Sequence, residues 1–445
     1  MNDENKIALL VGMGIASLIL VFTATHAESS ERSVFSRGNV VYQMHYSTHF
    51  TAKKRATEAE YLVLAVHHND FTVGSIAYNK DKENSFSSGA PLRKKGDVKV
   101  NLISEVPDSK GQKVDIAYSY DGEVVLDQDG LTNYTLYFPL DLEATDALGA
   151  DEFSSCSLGA YATYSDILPI YWTPFNRYCE ISNYSVNATL SPLIMKTTYP
   201  DYPRLVKDGS IQIALLIGKM VENADHNPYR LFMGDESRTE YQTITKHLKK
   251  MGFERTSQIL PDGLDTSYEE TLEANFNGIK FVVKMVYGNS VNATEAQRPG
   301  ITDFYLKYFK LAKESSYVVY SGHAGFLVAP DGVTVHAPKT TKFELDPDRY
   351  QIFVMNGCQT NDYIYPLFAL KSPNNIQMFL NARESIVNAN ASTVMIDAMV
   401  SWANFNYWTK YSDLVSKMDS VNAMLGVVGD QSAPTEPYGQ VPGQP

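Results

Sequence analysis

The spacing of hydrophobic and polar positions changes near residue 200 and divides the chain into two parts. Up to about Tyr199, apolar residues alternate with polar ones or cluster in short runs rich in β-branched and aromatic side chains, which is typical of strands. The clearest of these segments are NVVYQMHY, YLVLAVHH, DVKVNLISEV, KVDIAYSYDGEVVLD, NYTLYFPLDL and YSVNATLSPLIM. Several short strands at this spacing predict an all-β, sandwich-like domain over residues 28–200.

Two details of this first part add to its interpretation. YDGE at residues 120–123 is typical of a hairpin turn, because Gly122 accepts a positive φ. His67 and His68 are adjacent in a predicted strand, so their side chains are expected on opposite faces. The pair therefore does not predict a metal site, and no metal or cofactor is expected in the chain.

Beyond the linker TTYPDYPRLVKDGS, continuous apolar runs alternate with helical patterns. The runs IQIALLIGK, IKFVVKMVYG, YVVYS, YQIFVM and IQMFLN are typical of strands in the interior of a sheet. Helices are predicted over SRTEYQTITKHLKKMGF and SYEETLEANF, which open with the capping boxes Ser237–Glu240 and Ser267–Glu270. Further helices are predicted over TDFYLKYFKLAKES and over residues 391–425.

The alternation of strands and helices predicts an α/β domain over residues 205–428, with a mostly parallel sheet flanked by helices. Residues 430–445 are rich in Pro and Gly and are predicted to form a disordered tail. The expected architecture is thus multidomain, with the β domain first and the α/β domain second.

The N-terminus carries an uncharged apolar run over residues 7–24, and Thr25 and Ala27 provide the small residues of a cleavage site before Glu28. The run is intermediate in length between a signal-peptide core and a minimal membrane span. The protein is therefore expected to be exported to the periplasm, the cell surface or the medium. Residues 1–27 are expected either to be removed as a signal peptide or to remain as a membrane anchor.

Charge and cysteine content narrow the choice of partners. The net charge of −13 argues against a nucleic-acid partner, because no basic stripe is left to neutralise phosphates. In an oxidising compartment Cys156 and Cys179 are the natural disulfide pair, since they lie close together in one aromatic-rich region. Cys358 is then left without a partner, and an unpaired thiol in an exported protein is either buried and inert or used.

Two apolar runs end in small-residue turns that present a histidine and a cysteine. YVVYS is followed by Gly322 and His323, and YQIFVM leads through Asn356 and Gly357 to Cys358. Functional groups collect at the carboxyl ends of parallel strands, so adjacent strands would bring the imidazole and the thiol together. A nearby base favours the reactive thiolate of a cysteine, whose free pKa is about 8.5.

The motifs VVYSGHAG and IFVMNGCQT, in this order and after IQIALLIGK and a capped helix, resemble those of the caspase-like cysteine peptidases, the group of caspases, legumains, gingipains and clostripain-type enzymes. The resemblance covers about residues 209–401 and implies the caspase-like fold. It also implies that Cys358 is the nucleophile and His323 the base, with the amides of Cys358 and of Ala324 or Gly325 as the oxyanion hole. Ala324 departs from the family pattern, which has Gly directly after the histidine.

The expected function is an exported cysteine endopeptidase acting on a peptide or protein substrate. For a preference for basic residues, Asp331 and Asp362 are the candidate pocket acids, although Asp331 is also typical of a turn and Asp362 of a helix cap. Two alternatives remain: a non-catalytic envelope binding or scaffold protein in which Cys358 is a core residue, and a transpeptidase or ligase that uses the same dyad.

Overall fold

The computed structural model describes seventeen segments of the chain, and the predicted leader lies outside them. The segments are residues 34–35, 39–77, 89–91, 97–106, 112–150, 183–193, 197–220, 235–261, 267–289, 298–323, 343–357, 360, 370–381, 385, 389–419, 425–429 and 433–439. The strands in these segments form two separate sheets. No helix in the described part of the chain is both long and apolar enough to cross a bilayer.

The first sheet has six strands, all paired antiparallel, in the order β3-β5-β2-β7-β6 with β4 also on β5. Its strands are β2 (Val40–Lys53), β3 (Gly89–Pro91), β4 (Asp97–Glu105), β5 (Lys113–Leu126), β6 (Asn133–Pro139) and β7 (Asn183–Pro192). Two helices accompany it, α1 (Glu58–Ala77) and α2 (Leu142–Ala150). Tyr61, Ala65 and Phe71 of α1 are buried in one cluster with residues of β2 and β5.

The predicted sandwich is wrong, because one face of this single sheet is covered by a helix and not by a second sheet. The run YLVLAVHH lies inside α1, where Tyr61, Ala65 and His68 are buried at helical spacing. The sequence carries a signal for this helix that the strand interpretation passed over. Thr57 and Glu60 form a capping box, with the Thr57 amide donating to Glu60 Oε2 at 2.9 Å and the Glu60 amide to Thr57 Oγ1 at 3.3 Å.

The predicted hairpin at residues 120–123 is also wrong. β5 continues through YDGE and pairs with β2 along its whole length, with Asp121 opposite His45 and Gly122 opposite Met44. A neighbouring strand that long satisfies the backbone groups that a turn would otherwise leave to water, so pairing overrides the local turn preference.

The second sheet has nine strands in the order β1-β15-β14-β13-β12-β8-β11-β10-β9. They are β1 (Val34–Phe35), β8 (Ser210–Gly218), β9 (Glu254–Ile259), β10 (Tyr268–Phe276), β11 (Ile279–Gly288), β12 (Tyr317–Ser321), β13 (Gln351–Asn356), β14 (Ile376–Asn381) and β15 (Leu425–Gly429). The helices of this part are α3 (Tyr202–Leu205), α4 (Glu236–Lys250), α5 (Arg298–Glu314), α6 (Ala389–Phe405) and α7 (Tyr411–Met418).

The predicted mostly parallel, caspase-like sheet is wrong, because this sheet is mixed. Its four central pairs, β11·β8, β8·β12, β12·β13 and β13·β14, are parallel. The four outer pairs, β9·β10, β10·β11, β14·β15 and β15·β1, are antiparallel. With the first sheet included, antiparallel pairing predominates, and strands rather than helices dominate the fold.

The segment SYEETLEANF accounts for much of this difference, since it forms strand β10 and not a helix. Tyr268, Glu270 and Leu272 alternate with less buried neighbours, which is the period of a strand. Asn277 and Gly278, both with positive φ, turn β10 into β11, and an Asn-Gly pair between such runs is a strong hairpin signal.

The central strands are buried on both faces, as their continuous apolar runs predict. In β8, Ile213 and Leu215 belong to one core cluster, which includes residues of α4 and α6, and Ala214 and Leu216 belong to a second cluster under α5. Residues 433–439, within the predicted tail, contact the linker segment. Tyr438 Oη donates to Asp201 Oδ1 at 2.5 Å.

Candidate functional site

The strands that carry the predicted histidine and cysteine motifs are neighbours. β12 and β13 pair in parallel, with Ser321 opposite Asn356, and the Gly322 amide continues the ladder by donating to the Asn356 carbonyl at 3.1 Å. His323 lies two residues beyond Ser321, and Cys358 follows Asn356 by the same interval in the sequence. The two motifs therefore leave the sheet at the same edge, as the sequence predicts.

His323 is exposed, and its ring faces the end of a third strand. Its Nε2 lies 3.3 Å from the carbonyl oxygen of Met220, just beyond β8. Because a carbonyl oxygen only accepts, this hydrogen bond requires a proton on Nε2 and leaves Nδ1 as the lone-pair nitrogen of the neutral ring. The His323 carbonyl in turn accepts from Tyr320 Oη at 2.8 Å. In this tautomer Nδ1 is the ring nitrogen that can accept a proton.

A buried carboxylate fixes the backbone at Met220, whose carbonyl His323 contacts. Asp235 caps α4 by accepting from the Ser237 amide at 3.2 Å, and the same Oδ1 accepts from the Met220 amide at 3.2 Å. Its other oxygen accepts from the hydroxyl of Tyr287, at the end of β11. Burial and the Asp235 charge raise the pKa of Tyr287 well above its usual value, so that this phenol remains a donor. Asp235 thus joins the ends of three elements next to His323.

A second set of buried polar side chains lies at the carboxyl ends of β12, β13 and β14. Asn356 Nδ2 donates to Ser321 Oγ at 3.0 Å, and Ser321 Oγ donates to Glu240 Oε2 at 2.8 Å. On the other side, Asn381 Nδ2 donates to Asn356 Oδ1 at 3.2 Å and to the Gly357 carbonyl at 3.0 Å. Ser385 Oγ also donates to Asn356 Oδ1, at 2.8 Å.

Thr360 closes the turn after β13. Its hydroxyl donates to the Met355 carbonyl at 2.7 Å and accepts from the Asn381 amide at 2.8 Å. Because Gly357 and Thr360 are both fixed to neighbouring strands, the chain that passes through Cys358 is anchored at either side. Cys358 itself lies outside the described residues.

Of the predicted site residues, His323 is the one that the structure describes. Those outside the described residues are Ala324, Gly325, Asp331, Cys358 and Asp362, together with the predicted disulfide partners Cys156 and Cys179. Their predicted roles stay predictions. His67 and His68 lie in helix α1, where His67 pairs with Asp146 at 2.9 Å. Among the described residues, no group of three or more His, Cys, Asp or Glu side chains is placed to hold a metal ion.

Sequence reasoning missed the residues that support the site. The sequence pattern predicts a capping box of Ser237 and Glu240, whereas in the structure Asp235 caps the helix and Glu240 is buried at 3% exposure. Ser321 and Asn356 do carry a signal, because each is a polar residue that ends an apolar run where a further apolar residue would fit the core. Buried polar groups at the ends of core strands require partners, and such groups point to a network.

Comparison with known proteins assigns no family to the chain. No family model, no curated protein and no solved structure matches it. Function is therefore inferred from the residues and the geometry of the site.

Proposed function

We propose that the protein is an exported cysteine endopeptidase in which Cys358 is the nucleophile and His323 is its base. The observation that carries this proposal is the parallel pairing of β12 with β13, with Ser321 opposite Asn356. Two chain segments that each continue two residues further, one to His323 and one to Cys358, start from adjacent positions about 5 Å apart. The site lies at the carboxyl ends of the central parallel strands, where functional groups collect.

The hydrogen bond to Met220 supports the role of His323. With Nε2 donating to that carbonyl at 3.3 Å, Nδ1 is the nitrogen that accepts the proton of the Cys358 thiol. The thiolate sulfur then bonds to the scissile carbonyl carbon, and the oxyanion accepts from the amide of Cys358 and from that of Ala324 or Gly325. The C–N bond breaks as the amine takes the proton from His323, and water hydrolyses the thioester.

We further propose a preference for a basic side chain before the cleaved bond, with Asp331 and Asp362 as the candidate pocket acids, because a carboxylate in the pocket would pair with a cation. The first substrates to test are therefore peptides with Arg or Lys before the cleaved bond. A matched set with Asn, Asp or Leu at that position measures the preference.

The experiment is alkylation of Cys358 by iodoacetamide as a function of pH, followed on the Cys358 peptide by mass spectrometry. In the wild-type full chain we expect rapid labelling down to about pH 6, since a histidine-paired thiol has a depressed pKa. His323→Ala is expected to move the labelling midpoint toward the free value of about 8.5. His247→Ala is the matched control, because His247 lies in the last turn of α4, where it pairs with Asp397 of α6.

Hydrolysis is measured in parallel. Cys358→Ala is expected to abolish peptide cleavage without changing the unfolding midpoint. Added amine nucleophiles that appear in the product would identify transfer in place of hydrolysis. A Cys358 that is labelled only on unfolding would identify a core thiol and a binding or scaffold protein, and would overturn the proposal.

A further inference from the structure

A line of hydrogen-bonded polar side chains crosses the carboxyl ends of three parallel strands. It runs from Glu240 on α4 to Ser321 on β12, Asn356 on β13 and Asn381 on β14, with donor–acceptor distances of 2.8, 3.0 and 3.2 Å. All four side chains are nearly fully buried, with exposures between 1% and 5%. Backbone hydrogen bonds already join the strands of the sheet. The side-chain hydrogen bonds further constrain the relative positions of the ends of β12 and β13.

Two members of the line precede the two predicted catalytic residues by two positions in the sequence. Ser321 is separated from His323 by Gly322, and Asn356 is separated from Cys358 by Gly357. Neither glycine has a side chain that could fix the chain beyond the strand. The last anchored side chains before the dyad are therefore Ser321 and Asn356, and Glu240 is the group that anchors Ser321 from outside the sheet.

We propose that Glu240 is a positioning residue for the Cys358–His323 dyad, acting through Ser321 and Asn356. This inference rests on the proposed function. The Glu240 carboxyl group accepts a hydrogen bond from the Ser321 hydroxyl, so the Ser321 oxygen can in turn accept from the Asn356 amide. A side chain of the same shape without an acceptor oxygen would free Ser321 to rotate, and the spacing of the two strand ends would loosen.

The surroundings of Glu240 keep this acceptor uncharged at low pH. The pKa of Glu240 is raised to about 7, because the effect of burial, with a smaller contribution from the Asp235 charge, outweighs the lowering by the hydroxyls of Ser321 and Ser392. Among the described residues no cation lowers it. At the start of α4, Tyr287 interacts with Asp235 and Arg238, and Lys219 Nζ lies 6.0 Å from the centroid of the Tyr287 ring. At the far end of the helix, Asp397 of α6 pairs with His247.

The variants that test the positioning role of Glu240 differ in the group that replaces its carboxyl group. Glu240→Gln keeps an acceptor for Ser321 and cannot ionise, whereas Glu240→Leu keeps the volume and removes the acceptor. Ser321→Ala breaks the same line with a smaller change and serves if the leucine variant does not fold. Thr245→Val is the matched control, because Thr245 is a buried hydroxyl of the same helix that faces Met285 instead.

The readout is the pKa of the Cys358 thiol, measured by iodoacetamide labelling of the full chain, together with kcat/KM for a peptide substrate. Glu240→Gln is expected to keep the wild-type thiol pKa. Glu240→Leu and Ser321→Ala are expected to raise it and to lower kcat/KM by about tenfold to a hundredfold, the effect of small misplacements at a site. Thr245→Val is expected to change stability alone.

The outcomes separate the two proposals. A depressed wild-type thiol pKa that Glu240→Leu and Ser321→Ala leave unchanged would overturn the role of Glu240 and keep the peptidase. A wild-type Cys358 that does not label in the folded chain would overturn the peptidase itself, and the positioning role with it.

Discussion

Ser321 and Asn356 are register partners on adjacent parallel strands, and their side chains are hydrogen-bonded to each other at 3.0 Å inside the protein. Parallel strands pair through their backbones with no need for such a bond. A buried polar pair at this position is costly unless every member has its partners, which here are Glu240, Asn381 and Ser385. The pair therefore marks the strand ends whose spacing the proposed dyad depends on.

Replacement of Asn356 tests this network as a whole. Asn356→Leu removes one donor and one acceptor and leaves Ser321, Asn381 and Ser385 without that partner, so we expect a loss of about 2–4 kcal/mol in the free energy of unfolding. Denaturant titration measures it. Asn374→Ala is the control, since the Asn374 side chain is exposed and the change is expected to stay within about 0.5 kcal/mol. Equal losses in both variants would contradict a structural role for the pair.

Glu240 predicts a stability that falls as pH rises. Its pKa is about 7 in the folded protein against 4.5 in the unfolded chain, so between these values the folded state keeps a proton that the unfolded state has lost. The free energy of unfolding should decrease by about 3 kcal/mol from pH 4.5 to 7 through this group, and change no further above pH 7. Glu240→Gln should remove that slope. A wild-type slope that persists unchanged in the glutamine variant would show that another group causes it.

His68, in the helix α1 that packs on the first sheet, should make the free energy of unfolding increase as pH rises. The ring is fully buried, stacked between Phe50 and Phe138, and bonded to Tyr118 Oη at 2.9 Å and the Pro139 carbonyl at 2.8 Å. Burial lowers the pKa of His68 from 6.5 to about 3, so below pH 6.5 the unfolded chain binds a proton that the folded protein excludes.

The expected loss through His68 is about 2 kcal/mol by pH 5, measured by denaturant titration at a series of pH values. His68→Phe should abolish this acid-side slope, although the variant is less stable at pH 7 because Tyr118 and Pro139 lose a partner. His45→Gln, at an exposed position of β2, should leave the slope as it is. The prediction fails if His68→Phe retains the wild-type slope.

The stability of the protein should depend strongly on the buried side-chain amide of Gln351, at the opposite end of β13. Its Nε2 donates to the carbonyls of Ala312 and Ser315 at 2.6 and 2.5 Å, and its Oε1 accepts from Lys371 Nζ at 2.7 Å. Burial also lowers the pKa of Lys371, to about 7.

Gln351→Leu should cost about 3 kcal/mol in the free energy of unfolding, because it leaves two carbonyls and a buried amine without this partner. Gln212→Leu on the adjoining part of the sheet is the matched control. Gln212 is only partly buried and donates to Ser210 Oγ, so about 1 kcal/mol or less is expected. A loss from Gln351→Leu as small as that of the control would rule out the anchoring role.

The proposed disulfide has its own test. In protein exported by its host, Cys156 and Cys179 should resist alkylation until a reductant is added, and reduction should lower stability by about 3 kcal/mol in the chain-entropy model. Peptide mapping with and without reductant separates these two positions from Cys358. Free thiols at both positions in exported protein would contradict the pairing.

The local sequence was sufficient to predict an element where its pattern is compatible with a single type of structure. The uninterrupted apolar runs of β8, β11, β12, β13 and β14 leave no polar side for water, so they predict interior strands, and the structure buries them on both faces. The sequence also indicates that His323 and Cys358 each follow such a run, and the structure describes His323.

Where a short segment is compatible with both a helix and a strand, the tertiary structure decided which of the two it forms. YLVLAVHH is apolar enough for a strand, but the core cluster formed with β2 and β5 fixes it as a helix. SYEETLEANF carries a capping-box pattern, yet pairing with β11 on one side and β9 on the other makes it a strand. That pairing places antiparallel strands at one edge of the five central parallel strands, and β15 and β1 do the same at the other edge, so the sheet is mixed.

The sequence by itself determined which strands form the centre of the second sheet and which residues follow them, because burial on both faces requires unbroken apolar runs. Only the tertiary structure decided which polar groups became buried partners. Glu240, Ser321 and Asn356 come from segments far apart in the chain, and no local pattern encodes a hydrogen bond between them. Their role arises because the fold removes them from water together, and each then depends on the others for its hydrogen bonds.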